Sequence, residues 1–261
     1  MTEPHEIPDR LAELLQSARS ITVLTGSGVS AESGVPTFRE ALTGLWATFD
    51  PEELATRSAF LRNPRLVWEW YAERRRTVQR VEPNPGHFAL ARLEQMVPNL
   101  TLITQNVDGL HQRAGSRRVL ELHGNITQVK CFDEDTAVAA WPEDEQVPPR
   151  CPRCGGLLRP DVVWFGEALP AQALRAAMLA SRNCDLFFSV GTSGVVEPAA
   201  SLPYDALRAR VPMIEINPDS TPLSRHATFR LVGPSGLLLP LLIERTWGHD
   251  AVRASSQSDA R

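Results

Sequence analysis

The sequence has little net charge and no long apolar run. Its 27 Lys and Arg residues nearly balance 31 Asp and Glu residues, which leaves a formal charge of −4. A chain so balanced has no overall attraction to nucleic acid or to an anionic membrane. The longest apolar run, residues 237–243, contains Pro240 and is much shorter than the roughly 20 residues that span a bilayer. We therefore expect neither a nucleic-acid-binding protein nor a membrane protein.

Cysteine is also scarce, with four residues in 261. Two of them form a Cys-x-x-Cys pair, Cys151 and Cys154. The first ten residues, MTEPHEIPDR, lack the basic-then-apolar pattern of a signal peptide. Without an export signal, the cysteines are expected to bind metal or to remain thiols rather than form a disulfide framework. These features favour a cytoplasmic protein.

Apolar segments alternate between strand-like and helix-like patterns. Strands are predicted at residues 21–25, 100–104, 119–122, 185–190 and 212–216, and helices at 7–18, 64–80, 84–96, 171–181, 203–209 and 236–245. This alternation is typical of a parallel sheet with helices on both faces. The fold class is therefore α/β, with a Rossmann-like doubly wound parallel sheet.

Residues 128–159 differ in character, being polar, acidic and rich in proline. They indicate a small inserted module that contains three of the four cysteines. We expect a single domain over residues 1–250, with insertions at about 40–82 and 126–162 that form a zinc-ribbon-like and helical module. Residues 251–261 have the composition of a disordered tail.

A glycine-containing turn follows the first predicted strand. Gly26-Ser27-Gly28-Val29-Ser30 comes directly after residues 21–25. A buried strand, a glycine turn and the start of a helix can together hold a pyrophosphate, because the backbone comes close to the anion and offers free N–H groups. The usual third glycine of the dinucleotide fingerprint is missing, so taken alone the stretch could equally be a tight turn.

Six ordered blocks give this turn a context. They read GSGVSAESGVPTFR (26–39), TQNVDGLH (104–111), LHGN (122–125), VVWFGE (162–167), GTS (191–193) and EIN (215–217). In this order they resemble the motifs of the sirtuins, the NAD-dependent protein lysine deacylases, over residues 21–242. Ser27 stands where that family usually has alanine.

The resemblance implies a site for NAD as co-substrate. Its glycine turn would meet the pyrophosphate, and residues 38 and 39 would end a loop that closes over the nicotinamide ribose. The GTS block and Asn217 would contact the adenosine part, with Ser235 near the adenine. The implied NAD contacts are Gly26, Ser27, Gly28, Ser30, Ala31, Phe38, Arg39, Gln105, Asn106, Val107, Asp108, Gly191, Thr192, Ser193, Asn217 and Ser235.

The resemblance also implies the catalytic residues. Asn106 and Asp108 would orient the nicotinamide amide and the reactive ribose, while His123 would act as the general base. The acyl oxygen of the substrate lysine would displace nicotinamide, and His123 would then take a proton from the ribose diol. The products would be free lysine and 2′-O-acyl-ADP-ribose.

Two segments would bind the acyl-lysine protein substrate. The stretch Val162, Val163, Trp164, Phe165, Gly166 and Glu167 resembles the strand on which sirtuins bind an extended peptide, and it could also be a core strand. Tyr71 and Arg74, three residues apart on a predicted helix, match the sirtuin branch that removes succinyl, malonyl and glutaryl groups. In an arbitrary helix the same pair would be a core aromatic residue and an exposed arginine.

The cysteine pattern departs from that family. Sirtuins usually hold a structural zinc ion with two Cys-x-x-Cys pairs, whereas here Cys131 is followed by Glu134 in the fourth position. Zinc could be bound by Cys131, Cys151 and Cys154 with Glu134 or a nearby aspartate as the fourth ligand. Alternatively, the module could be free of metal.

Two other functions remain open at this stage. A mono-ADP-ribosyltransferase could use the same NAD pocket. A non-catalytic NAD-binding or zinc-ribbon interaction protein is the other alternative, although a nucleic-acid reader of that kind should show a basic patch. The acidic runs at residues 133–135 and 143–145 argue against such a patch.

Overall fold

The structure is a computed structural model that describes residues 6–36, 54–141 and 146–248. The expectations for Phe38, Arg39, residues 40–53 of the insertion at about 40–82, the acidic run at 143–145 and the tail at 251–261 lie outside these ranges.

Nine α-helices and eight strands follow one another along the described ranges, with two 3₁₀ helices at Ala199–Ser201 and Ser224–His226. The helices are α1 Asp9–Ser17, α2 Gly28–Ala31, α3 Arg57–Arg62, α4 Pro64–Arg80, α5 Pro85–Met96, α6 Leu110–Arg113, α7 Ala171–Arg182, α8 Leu202–Arg208 and α9 Ser235–Trp247. The strands are β1 Ser20–Thr25, β2 Asn99–Thr104, β3 Val119–Glu121, β4 Gly124–Cys131, β5 Leu158–Val162, β6 Leu186–Val190, β7 Met213–Asn217 and β8 Phe229–Val232. None of the described helices has the length and apolar character needed to cross a membrane.

Six parallel strands form the main sheet in the order β3-β2-β1-β6-β7-β8. Strands β2 and β3 extend the sheet on one side of β1, and β6, β7 and β8 extend it on the other side. The strand order therefore reverses between β1 and β6, and a crevice opens there at the carboxyl ends of the strands. This arrangement confirms the predicted doubly wound α/β fold.

Alternating side chains of β1 supply both layers of the core. Ile21 and Val23 pack with α1, α5 and α9 on one face. Leu24 belongs to the opposite layer, which contains α7 and α8. Because successive side chains of a strand point to opposite faces, one apolar strand can anchor both layers.

A second, two-stranded sheet lies outside the main one. Strands β4 and β5 pair antiparallel, with Cys131 opposite Leu158, and helices α3 and α4 pack on them. Its residue Lys130 is the single lysine in the sequence. The Nζ atom of Lys130 lies 2.8 Å from Asp135 Oδ1 and 3.5 Å from Asp161 Oδ1, and its side chain is 13% exposed.

The expected strand at residues 162–167 is wrong over most of its length. Strand β5 ends at Val162, and the following residues form a turn in which the Glu167 N–H donates to the Trp164 carbonyl. The turn requires Gly166, which has a φ of 82°. The neighbouring side chains of Trp164 and Phe165 differ in exposure, since Trp164 is 1% exposed and Phe165 is 43% exposed.

Candidate active site

Two glycine turns meet backbone to backbone in the crevice. The Gly26 N–H donates to Val190 O (3.1 Å), and the Gly28 N–H donates to Gly191 O (2.9 Å). A Cβ atom at Gly28 would lie 2.8 Å from Gly191 O, so only glycine permits this approach. The one-turn helix α2 begins immediately afterwards. The turn is thus free of bulky side chains where the sequence predicts the pyrophosphate of NAD.

Three of the predicted NAD contacts join neighbouring strand ends. Gln105 Nε2 donates to Thr192 Oγ1 (2.9 Å), and Asn217 Nδ2 donates to Thr192 O (2.8 Å). Gln105 and Thr192 follow β2 and β6, and Asn217 is the last residue of β7. The hydrogen bonds therefore connect the ends of strands on both sides of β1, while the neighbouring Ser193 stays exposed.

Ser30 is the centre of a buried polar cluster. Its Oγ atom donates to Asp108 Oδ2 (2.7 Å) and accepts a hydrogen bond from Asn106 Nδ2 (3.0 Å). Asp108 Oδ1 in turn accepts from the Leu110 N–H at 2.9 Å. Burial raises the pKa of the Asp108 carboxyl, and these hydrogen bonds act in the opposite direction. The predicted residues Ser30, Asn106 and Asp108 are thus brought into direct contact.

His87 completes this cluster, a place that was not predicted from the sequence. The Asn84 N–H donates to His87 Nδ1 (3.3 Å), so the ring proton belongs on Nε2. That nitrogen lies 3.4 Å from Ser30 Oγ. His87 also forms the capping box of α5 with Asn84. A capping motif was visible in the sequence, but the contact with Ser30 was not.

A second buried histidine, His111, packs against His87. Their ring centroids are 4.9 Å apart, and His111 Nε2 lies 3.0 Å from Thr25 Oγ1. Burial lowers the pKa of His87 to about 4 and that of His111 to about 3, the charge of His87 adding to the effect on His111. Both rings are therefore neutral near pH 7.

His123 lies between β3 and β4 at the same edge of the sheet. Its Nδ1 atom is 2.9 Å from Gln105 O. Since a carbonyl oxygen only accepts, Nδ1 carries the proton and Nε2 keeps its lone pair. Burial lowers the pKa of His123, while the hydrogen bond to Gln105 opposes this shift. His123 is thus a neutral imidazole with a basic nitrogen, as a general base requires.

Tyr71 and Arg74 lie one turn apart on α4. The Tyr71 hydroxyl accepts a hydrogen bond from Trp164 Nε1 (3.1 Å), and Arg74 Cζ lies 5.0 Å from the centroid of the Trp70 ring. Burial raises the pKa of Tyr71 to about 12 and lowers that of Arg74. Tyr71 therefore remains a neutral phenol at neutral pH.

The cysteine cluster has a geometry suited to a metal ion. The ligand atoms of Cys131, Glu134, Cys151 and Cys154 all lie within 4.8 Å of one another. Cys131 Sγ and Cys154 Sγ are 3.4 Å apart, close to the ~3.8 Å expected for two thiolates on one tetrahedral zinc ion. Glu134 also pairs with Arg153 at 2.9 Å. Three thiolates and one carboxylate therefore fit a zinc ion, which would cross-link the module.

Ser235 does not lie in the same polar cluster. It is buried at the first turn of α9, and its hydroxyl donates to Glu32 Oε1 (3.3 Å). The Gly236 N–H donates to the same oxygen at 2.8 Å. Glu32 thus ties the glycine-turn region to α9, and contact of Ser235 with adenine stays a prediction.

Comparison with known proteins agrees with this geometry. Residues 26–198 match the sequence model of the Sir2 family. The chain belongs to the Sir2 family. The resemblance to sirtuins drawn from the six motifs is therefore confirmed.

Curated relatives of this Sir2-family chain cover almost all of it. "NAD-dependent protein deacylase 1" of Pseudomonas aeruginosa is 50% identical over 248 residues, covering 91% of this chain and 98% of the relative. "NAD-dependent protein deacylase" of Aquifex aeolicus is 54% identical over 210 residues, covering 80% of this chain and 87% of the relative.

Solved structures share the fold of the chain. A Sir2 homologue in complex with NAD has a TM-score of 0.87 and 43% identity, covering 94% of this chain and 96% of that one. A Sir2 protein bound to an acetylated peptide has a TM-score of 0.82 and 31% identity, covering 92% and 98%. Members of this family with the same fold thus bind NAD and an acetylated peptide.

Proposed function

We propose that this Sir2-family enzyme is an NAD-dependent protein lysine deacylase that prefers acyl groups ending in a carboxylate. Succinyl-, malonyl- and glutaryl-lysine would be its favoured substrates, and acetyl-lysine a weaker one. The observation that carries the preference is the pairing of a buried phenol, Tyr71, with a guanidinium, Arg74, one turn along α4.

The catalytic part of the proposal rests on His123. Because Nδ1 donates to Gln105 O, the lone pair of Nε2 can remove a proton from the ribose diol of NAD. NAD supplies the reactive ribose carbon, and its nicotinamide leaves. The Ser30–Asn106–Asp108 cluster would hold the nicotinamide amide, because it presents both donors and acceptors in a buried place.

The acyl preference follows from charge. A succinyl group ends in a carboxylate, which Arg74 can bind through charge-assisted hydrogen bonds and the Tyr71 hydroxyl through one more. A hydrogen bond to a charged group is worth about 1.5–3 kcal/mol, or roughly 10- to 150-fold in kcat/KM. An acetyl group has no such carboxylate, so the gain applies only to acidic acyl groups.

The peptide part of the substrate would lie along the turn after β5. Phe165 is 43% exposed there, and its N–H donates to Ala55 O at 2.9 Å. This contact links the turn to the segment before α3. We infer that an extended acyl-lysine peptide passes beside Val163, Phe165 and Gly166.

Product analysis tests the reaction. The enzyme is incubated with NAD and peptides carrying acetyl, succinyl, malonyl or glutaryl lysine, and the products are identified by mass spectrometry. We expect nicotinamide, free lysine peptide and O-acyl-ADP-ribose, with the acidic acyl groups removed fastest. Transfer of ADP-ribose to protein with the acyl peptides left intact would instead indicate a mono-ADP-ribosyltransferase.

Substitution of Arg74 tests the acyl preference. Arg74→Met should lower the ratio of kcat/KM for succinyl peptide over acetyl peptide by at least about tenfold. Arg76→Met is the matched control, since Arg76 is exposed on the same helix and the charge change is identical. A ratio that is unchanged in Arg74→Met would refute the assignment of Arg74 to the acyl carboxylate.

A further inference from the structure

An ion pair with a fully buried arginine lies beside Trp164. Arg159 on β5 is 0% exposed. Its Nη1 donates to Glu167 Oε1 (2.5 Å) and its Nη2 to Glu167 Oε2 (2.9 Å), and Nη2 also donates to Val162 O at 2.7 Å. Burying the charge of Arg159 is costly, and a well-packed apolar pair would often be as stable. The pair therefore calls for a role beyond stability.

The pair holds the indole ring of Trp164 from two directions. The guanidinium carbon of Arg159 lies 3.3 Å from the centroid of the Trp164 ring, so the flat group stacks on the indole. The Trp164 backbone N–H donates to Glu167 Oε2 at 2.9 Å. The ring face and the backbone of Trp164 are thus both fixed by one ion pair.

The fixed indole determines what the Tyr71 hydroxyl can do. Trp164 Nε1 donates to this hydroxyl at 3.1 Å, so the oxygen is used as an acceptor. Its own proton has no acceptor among the described residues. A buried hydroxyl in this state can donate to a ligand, because an unmade hydrogen bond in a buried place is costly. A carboxylate oxygen at the end of an acyl group can accept that hydrogen bond.

We propose that Trp164, held by Arg159 and Glu167, is the positioning residue that makes Tyr71 a selective donor to acidic acyl groups. This inference rests on the proposed acyl preference and adds a residue to it. Trp164 acts through Tyr71, so its removal should affect succinyl more than acetyl peptide.

A double-mutant cycle tests the coupling. The ratio of kcat/KM for succinyl over acetyl peptide is measured for the wild type, Trp164→Phe, Tyr71→Phe and the double variant. Trp164→Phe should lower the ratio about two- to twelvefold, the factor that one neutral hydrogen bond is worth. In the Tyr71→Phe background, Trp164→Phe should lower it no further. Trp68→Phe is the control. Trp68 is a buried tryptophan on α4, the helix of Tyr71, and it packs against the cysteine module.

Two results would overturn the inference. One is a wild-type ratio in Trp164→Phe, and the other is a full additional loss in the double variant, which would show that Trp164 does not act through Tyr71. If Trp164→Phe does not fold, Arg159→Lys replaces it, because lysine keeps the charge opposite Glu167 but cannot stack on the indole. Arg159→Lys should lower the same ratio, and an unchanged ratio would again refute the inference. A wild-type enzyme without succinyl preference would refute the proposed function itself.

Discussion

The buried histidine pair should make the enzyme unusually sensitive to acid. His87 and His111 have pKa values of about 4 and about 3 in the folded protein, against about 6.5 in an unfolded chain. The folded state therefore binds fewer protons than the unfolded state below pH 6.5. By linkage, the stability that the two neutral rings contribute is fully present above pH 6.5. It is lost as the pH falls toward the folded pKa values of about 4 and about 3.

The size of this effect at a given pH depends on how far that pH lies below the unfolded pKa of histidine. At pH 5, about 1.5 pH units below the unfolded value, each histidine destabilises the fold by about 2 kcal/mol. Two histidines together contribute about 4 kcal/mol, a large fraction of the roughly 5–15 kcal/mol that stabilises a typical domain. Because both folded values lie at or below about 4, the figure at pH 5 depends little on their exact size.

Urea unfolding at pH 7.5 and pH 5 measures the effect. His111→Gln should reduce the stability difference between the two pH values by about 2 kcal/mol, because glutamine does not titrate. The glutamine amide has both a donor and an acceptor, so it can still form a hydrogen bond with Thr25 Oγ1. His226→Gln is the control for loss of an exposed histidine. If His111→Gln and the wild type lose equal stability between pH 7.5 and 5, the assignment of a buried neutral pair is wrong.

Three further predictions concern the active site and the metal. His123→Ala should fold and lose about 10²- to 10⁴-fold in deacylation, and near wild-type turnover of the variant would remove His123 from the mechanism. Because burial lowers the pKa of His123, the wild-type activity should fall on the acid side with a midpoint below the ordinary histidine value of about 6.5. Glu134→Cys should bind zinc more tightly than the wild type, because a thiolate is a softer ligand than a carboxylate. Metal content measured after mild chelation tests this, and equal zinc loss from both proteins would contradict the role of Glu134 as a ligand. Gly28→Ala should abolish NAD binding in calorimetry, because its Cβ would lie 2.8 Å from Gly191 O, and wild-type affinity would refute the close approach of the two turns.

The sequence predicted those parts of the fold that depend on local signals. Helix α4 begins at Pro64, as predicted from the proline, and Asn63 caps it through a hydrogen bond from the Leu66 N–H. The main-sheet strands with continuous apolar runs, such as β1, were also predicted, because burial on both faces leaves a plain signal.

Other elements were missed because their signals depend on distant residues. Strand β5 contains an arginine and a proline, Arg159 and Pro160, which argue against a buried strand when read locally. Strand β8 is only four residues long, with Leu231 as its one buried residue. Neither strand has a pattern long enough to be seen without its partner.

The site shows the same division. The motifs contained Ser30, Asn106 and Asp108, and their proximity follows from strand ends that share one edge of a parallel sheet. In contrast, the Tyr71–Trp164 hydrogen bond joins residues 93 positions apart. Such a contact arises from the packing of α4 on the small sheet, and no local pattern indicates it.

The single lysine has a consequence for an enzyme proposed to act on acyl-lysines. Reactive acyl donors modify lysine amines, and this sequence offers only the amine of Lys130, with 26 arginines carrying the other basic charges. That amine is engaged by Asp135 and Asp161 and is largely shielded. The 261 residues thus offer the enzyme almost nothing to deacylate on itself. Lysine acylation could affect the enzyme only at Lys130, on strand β4.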